Sequence, residues 1–167
     1  MRGAVLVAAL LIPQPARADS ADQLVGLFMQ SCLPFAGDAA GLRKWAGGIG
    51  LRALPPGGQS AFLQGQRGLA FDATNTEGKF VVISGDGGFC AAVADRGARA
   101  RITAGLEQAL GATSVRFVVT ADRDDPQEPA LRHRDYRARK GDRAWRIVLS
   151  TGAPDSGAHP MLSATPE

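Results

Sequence analysis

Residues 79–94 have the sequence KFVVISGDGGFCAAVA, in which two apolar runs flank the turn sequence Gly85-Asp86-Gly87-Gly88. Valine, isoleucine and phenylalanine favour extended strands, and glycine supplies the positive φ angles that a short hairpin turn needs. The pattern therefore predicts two antiparallel strands, residues 79–84 and 89–94. A parallel pair would need a crossover of a dozen or more residues, and this turn is too short to provide one.

Outward from this hairpin, helical and extended patterns follow one another along the chain. Apolar residues at three- and four-residue spacing indicate helices, and short β-branched runs between turn residues indicate strands. The predicted helices are residues 21–32, 39–46 and 97–110, and the predicted strands are residues 69–73, 79–84, 89–94, 114–121, 131–139 and 143–151. This order predicts the α+β class, with an antiparallel sheet built from two three-stranded meanders and helices packed on one face.

Residues 1–18 have the pattern of an export signal. Arg2 precedes an unbroken apolar run over residues 4–12, two prolines follow, and Ala16-Arg17-Ala18 gives the small-x-small motif that signal peptidase reads. The apolar run is shorter than the about 20 residues that a membrane-spanning helix needs. We therefore expect cleavage after Ala18, no transmembrane segment in the mature chain, and a location in the periplasm or outside the cell. A buried N-terminal helix is the alternative.

The rest of the chain has the length of one domain. We expect residues 19–152 to fold as a single domain, and residues 153–167, which are rich in proline, glycine and serine, to form a loosely ordered tail. The full chain carries 19 Lys and Arg against 16 Asp and Glu. Loss of Arg2 and Arg17 with the signal leaves the mature chain close to neutral, and we expect it to be a monomer.

The chain has two cysteines, Cys32 and Cys90, and both lie after the predicted cleavage site. An exported chain meets an oxidising compartment, where an even pair of cysteines favours a disulfide. Such a bond would pin the first helix to the hairpin strand that carries Cys90. The alternative is a reduced, nucleophilic Cys90 with His133 as its base.

A family resemblance covers about the first half of the mature chain. The short helix ending in Phe28-x-x-x-Cys32, and the hairpin Asp86-Gly-Gly-Phe-Cys90 leading into Ala-Ala-Val-Ala, resemble small uncharacterised exported proteins of Gram-negative bacteria. The resemblance supports the disulfide and the periplasmic location. It implies no activity.

The strongest candidate for a functional surface is a basic hairpin over residues 131–146. Its predicted anion- or partner-binding residues are Arg132, Arg134, Arg137, Arg139, Arg143 and Arg146. Guanidinium groups bind phosphate and carboxylate, so the expected partner is an anionic component of the cell envelope or an acidic protein. Nucleic acid is not expected, because an exported protein rarely meets it. The alternative is a solvated edge hairpin whose charges only prevent aggregation.

Other motifs give no catalytic, metal or cofactor site. The acidic loop over residues 122–129 lacks EF-hand spacing, and residues 85–88 lack the lysine and hydroxyl residue of a phosphate-binding loop. His133 and His159 have no second histidine at metal-ligand spacing. The sequence therefore predicts no cofactor, no metal and no recognisable catalytic residue.

These observations favour a small exported binding or accessory protein over an enzyme. One alternative is a hydrolase that uses carboxylates, which requires a pair such as Asp86 and Asp135 to converge in a cleft. Another is a structural subunit of an envelope assembly, which requires an exposed apolar patch of several hundred Å².

Overall fold

The computed structural model describes residues 19–153 and 156–167, so the predicted signal at residues 1–18 lies outside the described part of the chain. The described residues form four helices and eight strands. The helices are α1 (Ser20–Phe35), α2 (Ala39–Gly48), α3 (Pro56–Leu63) and α4 (Arg99–Ala112). The strands are β1 (Arg52–Ala53), β2 (Gly68–Asp72), β3 (Phe80–Gly85), β4 (Cys90–Ala94), β5 (Arg116–Asp124), β6 (Leu131–Lys140), β7 (Arg143–Gly152) and β8 (Met161–Pro166).

The strands form one open antiparallel sheet in the order β1-β2-β3-β4-β8-β7-β6-β5. This architecture confirms the predicted α+β class. Both predicted meanders are present, as β2-β3-β4 and as β5-β6-β7, but they do not make up the whole sheet. β8 joins them into a continuous surface, and β1 extends one edge.

The prediction of a loosely ordered tail is wrong for residues 161–166. These residues form β8, which pairs with β4 on one side and with β7 on the other. Leu162 and Ala164 are fully buried. Without β8, the facing edges of β4 and β7 would leave rows of backbone N–H and C=O groups without partners. The residues of β8 carry little strand signal of their own. The unpaired edges that β8 fills belong to β4 and β7, which are distant in the chain, so the sequence pattern near β8 could not predict it.

The sequence predicted that all helices pack on one face of the sheet, and this prediction is wrong for α3. Three helices, α1, α2 and α4, pack on what we call the helix face of the sheet, where they bury residues such as Phe28, Leu42 and Leu106. The short α3 instead packs on β2 and β3 from the opposite side, which we call the open face. Phe62 and Leu63 of α3 cover a separate small cluster there. Among the described residues, no helix covers the open face of β5, β6 and β7.

A disulfide between Cys32 and Cys90 confirms the predicted pair and links α1 to β4. Both residues are fully buried, and their Cα atoms are 5.2 Å apart. Because Cys90 is held in this bond, it does not serve as the nucleophile that the alternative interpretation required.

Candidate functional site

The basic hairpin is formed by β6 and β7, and it lies inside the sheet rather than at its edge. β6 pairs with β5 and with β7, while β7 pairs with β6 and with β8. The interpretation of this hairpin as an edge is therefore wrong. Since neighbouring residues on a strand point to opposite faces, the six predicted arginines divide into two groups. Arg132, Arg134 and Arg143 lie on the helix face, and Arg137, Arg139 and Arg146 lie on the open face.

The arginines on the helix face hold the fold together. Arg134 donates hydrogen bonds to Asp122 at 2.6 Å, to Glu107 of α4 at 3.0 Å and to the hydroxyl of Tyr136 at 3.0 Å. Arg132 donates to Asp122 and Asp124 on β5. The contacts with Asp122, Asp124 and Glu107 join β6 to β5 and to α4, so the two guanidinium groups are occupied by internal partners.

Arg143 is also engaged within the fold. It donates to the carbonyl oxygens of Pro34 and Ala36 at the end of α1, and its guanidinium lies 5.0 Å from the centre of the Trp145 ring. This position stabilises the end of α1 against the hairpin. The structure therefore assigns all three of the predicted binding arginines on the helix face to internal contacts.

Tyr136 provides a direct test of the helix-face network, because it is the only tyrosine of the chain. Its hydroxyl donates to Glu107 at 3.2 Å, and its side chain is fully buried. Burial, followed by the negative charge of Glu107, raises the pKa of Tyr136 to about 12. We expect ultraviolet titration of the folded protein to show tyrosinate only near that pH, and titration in denaturant to show it near pH 10.

The raised pKa of Tyr136 also has a consequence for stability. The unfolded chain loses the tyrosine proton at a lower pH than the folded chain does, so the folded state binds more protons between about pH 10 and about pH 12. The free energy of unfolding contributed by this group therefore falls as the pH rises through that window. A Tyr136→Phe variant is the control, since its stability should lack this contribution to the alkaline decline. Tyrosinate formation near pH 10 in the folded protein would contradict the network.

The open face carries a second, incompletely paired set of arginines. Arg137 pairs with Glu167 at 3.0 Å, and Arg123 and Arg146 share Asp135 at 3.1 and 3.3 Å. Arg139 stands directly opposite Arg116 of β5, and neither guanidinium group makes a hydrogen bond or ion pair within residues 19–153 and 156–167. Like charges placed opposite each other on neighbouring strands repel. This pair therefore leaves uncompensated positive charge at the β5 edge of the open face.

The two carboxylates required by the hydrolase alternative are not brought together. Asp135 lies on the open face of β6, where it is buried beneath Arg123 and Arg146. Asp86 lies in the turn between β3 and β4, where Arg43 and Arg67 pair with it. Three strands separate β3 from β6, which corresponds to about 19 Å. The structure provides no shared cleft for this pair.

A hydrogen-bonded side-chain array that the sequence interpretation missed lies near Asp135 on the open face. His133 contacts the hydroxyl of Ser150 through Nδ1 at 2.8 Å and the carboxylate of Asp125 through Nε2 at 2.9 Å. His133 and Ser150 are direct partners in the β6–β7 ladder. The pairing of His133 with Ser150 could have been predicted from the sequence, because the turn at residues 140–142 fixes which residues of β6 and β7 lie opposite each other. Asp125, in the loop before β6, could not be placed without the tertiary structure.

A groove with a volume of about 790 Å³ opens at the end of the sheet where α4 begins. Its lining includes Arg96, Arg99, Arg132 and His159. Arg99 donates to Asp122 and to the hydroxyl of Thr151, and Arg132 donates to Asp122 and Asp124. These two cations are already matched by acidic partners, so the groove has less free positive charge than its arginine content suggests.

Within the described part of the chain, no helix is both long enough and apolar enough to cross a membrane. The same residues contain no group of three or more His, Cys, Asp or Glu side chains arranged to hold a metal ion. A comparison with protein-family models, with curated proteins and with solved structures found no match to the chain.

Proposed function

We propose that the protein is an exported binding module that docks an acidic protein segment along β5 and the open face beside it. The observation that carries the proposal is the pair Arg116 and Arg139, which lie opposite each other without acidic partners in the described chain. Carboxylates of a partner would relieve the repulsion between the two guanidinium groups and so favour binding. A neutral partner would not relieve this repulsion.

The position of the pair favours an extended polypeptide as the partner. β5 is an edge strand, so one row of its backbone N–H and C=O groups faces outward and is available for strand addition. Val118 is 59% exposed and lies between Arg116 and the bulge at Thr120. An added strand would bury this valine while its acidic side chains meet the arginines.

A lipid surface fits these residues less well than an acidic segment does. Binding at a membrane interface requires a substantial apolar face in addition to positive charge. The large exposed apolar residues of the described chain are scattered: Leu69 on β2 lies near the opposite end of the sheet from β5, and Val118 and Val119 of β5 point to opposite faces. The same scatter gives no support to the interpretation as a structural envelope subunit.

The export part of the proposal is supported by the leader pattern of residues 1–18 and by the buried disulfide. Disulfides persist mainly in oxidising compartments, so the bond is compatible with a periplasmic or secreted location.

The proposal is tested with a fluorescent polyglutamate peptide at low ionic strength. We expect the double variant Arg116→Gln, Arg139→Gln to bind this peptide about tenfold more weakly than the original protein, since two charge contacts are lost. Binding by the original protein should weaken steeply with added salt. The folded state should be as stable or slightly more stable, because the variant removes a like-charge pair.

The double variant Lys44→Gln, Arg52→Gln is the matched control, because it also removes two exposed positive charges, one on α2 and one on β1 at the opposite edge of the sheet. An equal loss of affinity in this control would show that net charge alone drives binding, and the proposed surface would be rejected. Binding to vesicles of anionic phospholipid without binding to polyglutamate would show that the partner of this surface is a membrane and not an acidic protein segment.

A further inference from the structure

The array Ser150, His133 and Asp125 has the connectivity of an activated serine nucleophile. Ser150 lies on β7, His133 lies opposite it on β6, and Asp125 lies in the loop that precedes β6. The two hydrogen bonds of the imidazole are 2.8 Å to Ser150 and 2.9 Å to Asp125. Such arrays are recognised by the geometry and roles of their members, whatever their order in the chain.

The carboxylate of Asp125 is itself held in place. Its Oδ1 accepts hydrogen bonds from the backbone N–H groups of Gln127 and Glu128 at 2.8 and 2.9 Å. These two bonds, followed by the contact with His133, lower the pKa of Asp125. The carboxylate is therefore ionised at neutral pH and acts only as an acceptor.

The ionised carboxylate fixes the tautomer of the histidine. Because Asp125 Oδ2 can only accept, Nε2 of His133 carries the proton and donates it. In the neutral imidazole, Nδ1 then has a free lone pair, and the hydroxyl of Ser150 donates to it. This is the direction of proton sharing that general-base activation of a serine requires.

The surroundings of the array fit acyl chemistry. Arg123 stands directly opposite His133, and Arg123 and Arg146 both reach Asp135, two residues along β6. Two guanidinium groups share this one carboxylate, so a net positive charge remains on this part of the open face, where it favours the development of negative charge.

We propose that Ser150 is the nucleophile of an acyl-transfer site for carboxylic esters, with His133 as general base and Asp125 as a positioning residue. Oγ of Ser150 forms a bond to the ester carbonyl carbon as its proton moves to Nδ1 of His133. The bond to the alcohol oxygen then breaks, and the imidazolium returns the proton to that alcohol. Water, activated by the same imidazole, hydrolyses the acyl-serine and releases the carboxylic acid.

This activity goes beyond the binding of an acidic segment and does not depend on it. The hydrogen-bonded array involves neither Arg116 nor Arg139, so the variant Arg116→Gln, Arg139→Gln should keep full reactivity at Ser150. Conversely, Ser150→Ala should keep its affinity for polyglutamate. The two proposals therefore fail or succeed separately.

The test is covalent labelling with an alkyl fluorophosphonate, followed by peptide mass spectrometry, together with hydrolysis of p-nitrophenyl butyrate. We expect a single adduct on Ser150, and no adduct on the variant Ser150→Ala. The rate of ester hydrolysis should fall at least about 100-fold in Ser150→Ala and in His133→Gln, as expected for loss of nucleophile or base. In Asp125→Asn the labelling rate should fall, and its pH dependence should shift.

Ser163→Ala is the matched control, because Ser163 is a buried serine on the open face of the neighbouring strand β8. This variant should label and hydrolyse at the original rates. Melting temperatures measured on all variants separate loss of the fold from loss of reactivity. Labelling of folded Ser150→Ala at the original rate, or a folded His133→Gln variant with unchanged labelling at Ser150, would overturn the proposal. Absence of any adduct on the folded original protein would also overturn it.

Discussion

Replacing both Cys32 and Cys90 with alanine should lower the free energy of unfolding by about 4 kcal/mol in the chain-entropy account of disulfides. The bond joins residues 58 positions apart, so its loss releases a long loop in the unfolded chain. It also removes the direct link between α1 and β4 at the centre of the helix face. Urea denaturation of the oxidised protein and of the double variant measures the difference.

The double substitution is preferred to a single one, because it leaves no free thiol to form bonds between molecules. The original protein unfolded in the presence of reductant is the second arm of the experiment, and its midpoint should approach that of the variant. The dependence of the unfolding free energy on urea should also become steeper, since an unlinked chain exposes more surface. Equal midpoints for oxidised and reduced protein would show that the bond contributes nothing to stability.

Leu162→Ala should lower the free energy of unfolding by about 3 kcal/mol, within the range for a buried leucine in a packed core. Leu162 is fully buried on β8, where it stands opposite Ala92 of β4 and Leu149 of β7. A cavity at this point would lie between the two meanders and would weaken the contact between them. Urea denaturation measures the change.

Leu69→Ala is the matched control for this prediction, because Leu69 is an exposed leucine on β2. Its substitution should change stability by less than about 0.5 kcal/mol, as is usual for surface positions. If Leu162→Ala lowered the free energy of unfolding as little as Leu69→Ala does, residues 161–166 would behave as the loose tail that the sequence predicted. The central position of β8 would then be wrong.

Local patterns in the sequence were sufficient for much of the fold. The hairpin of β3 and β4 was predicted within one residue at each end, because the glycine turn and the β-branched run act over a few neighbouring positions. The pairing of Cys32 with Cys90 was also predicted, since a chain with two cysteines offers only one pair. The helix α3 was not among the predicted helices, because its glycines and prolines mask its helical residues.

The candidate functional sites were harder to predict from the sequence than the fold was. A count of arginines identified the basic hairpin, but it could not distinguish Arg134, which is held by Asp122 and Glu107, from Arg139, which has no such partner in the described chain. Partners such as Glu107 lie in elements that are distant in sequence. The contact between His133 and Ser150 depended on strand register, and its completion by Asp125 depended on the path of a loop.

The α+β class, the bounds of most helices and strands, and the disulfide follow from local periodicity, turn residues or a unique pair of cysteines, so they could be read from the chain alone. Three other features became visible only in the folded protein: β8 fills the gap between two meanders, α3 packs on the open face, and Arg116 and Arg139 have no acidic partner among the described residues. These features arise from the pairing of backbone edges and the matching of charges across long chain separations. No local pattern encodes which distant partner will meet a given strand or charge.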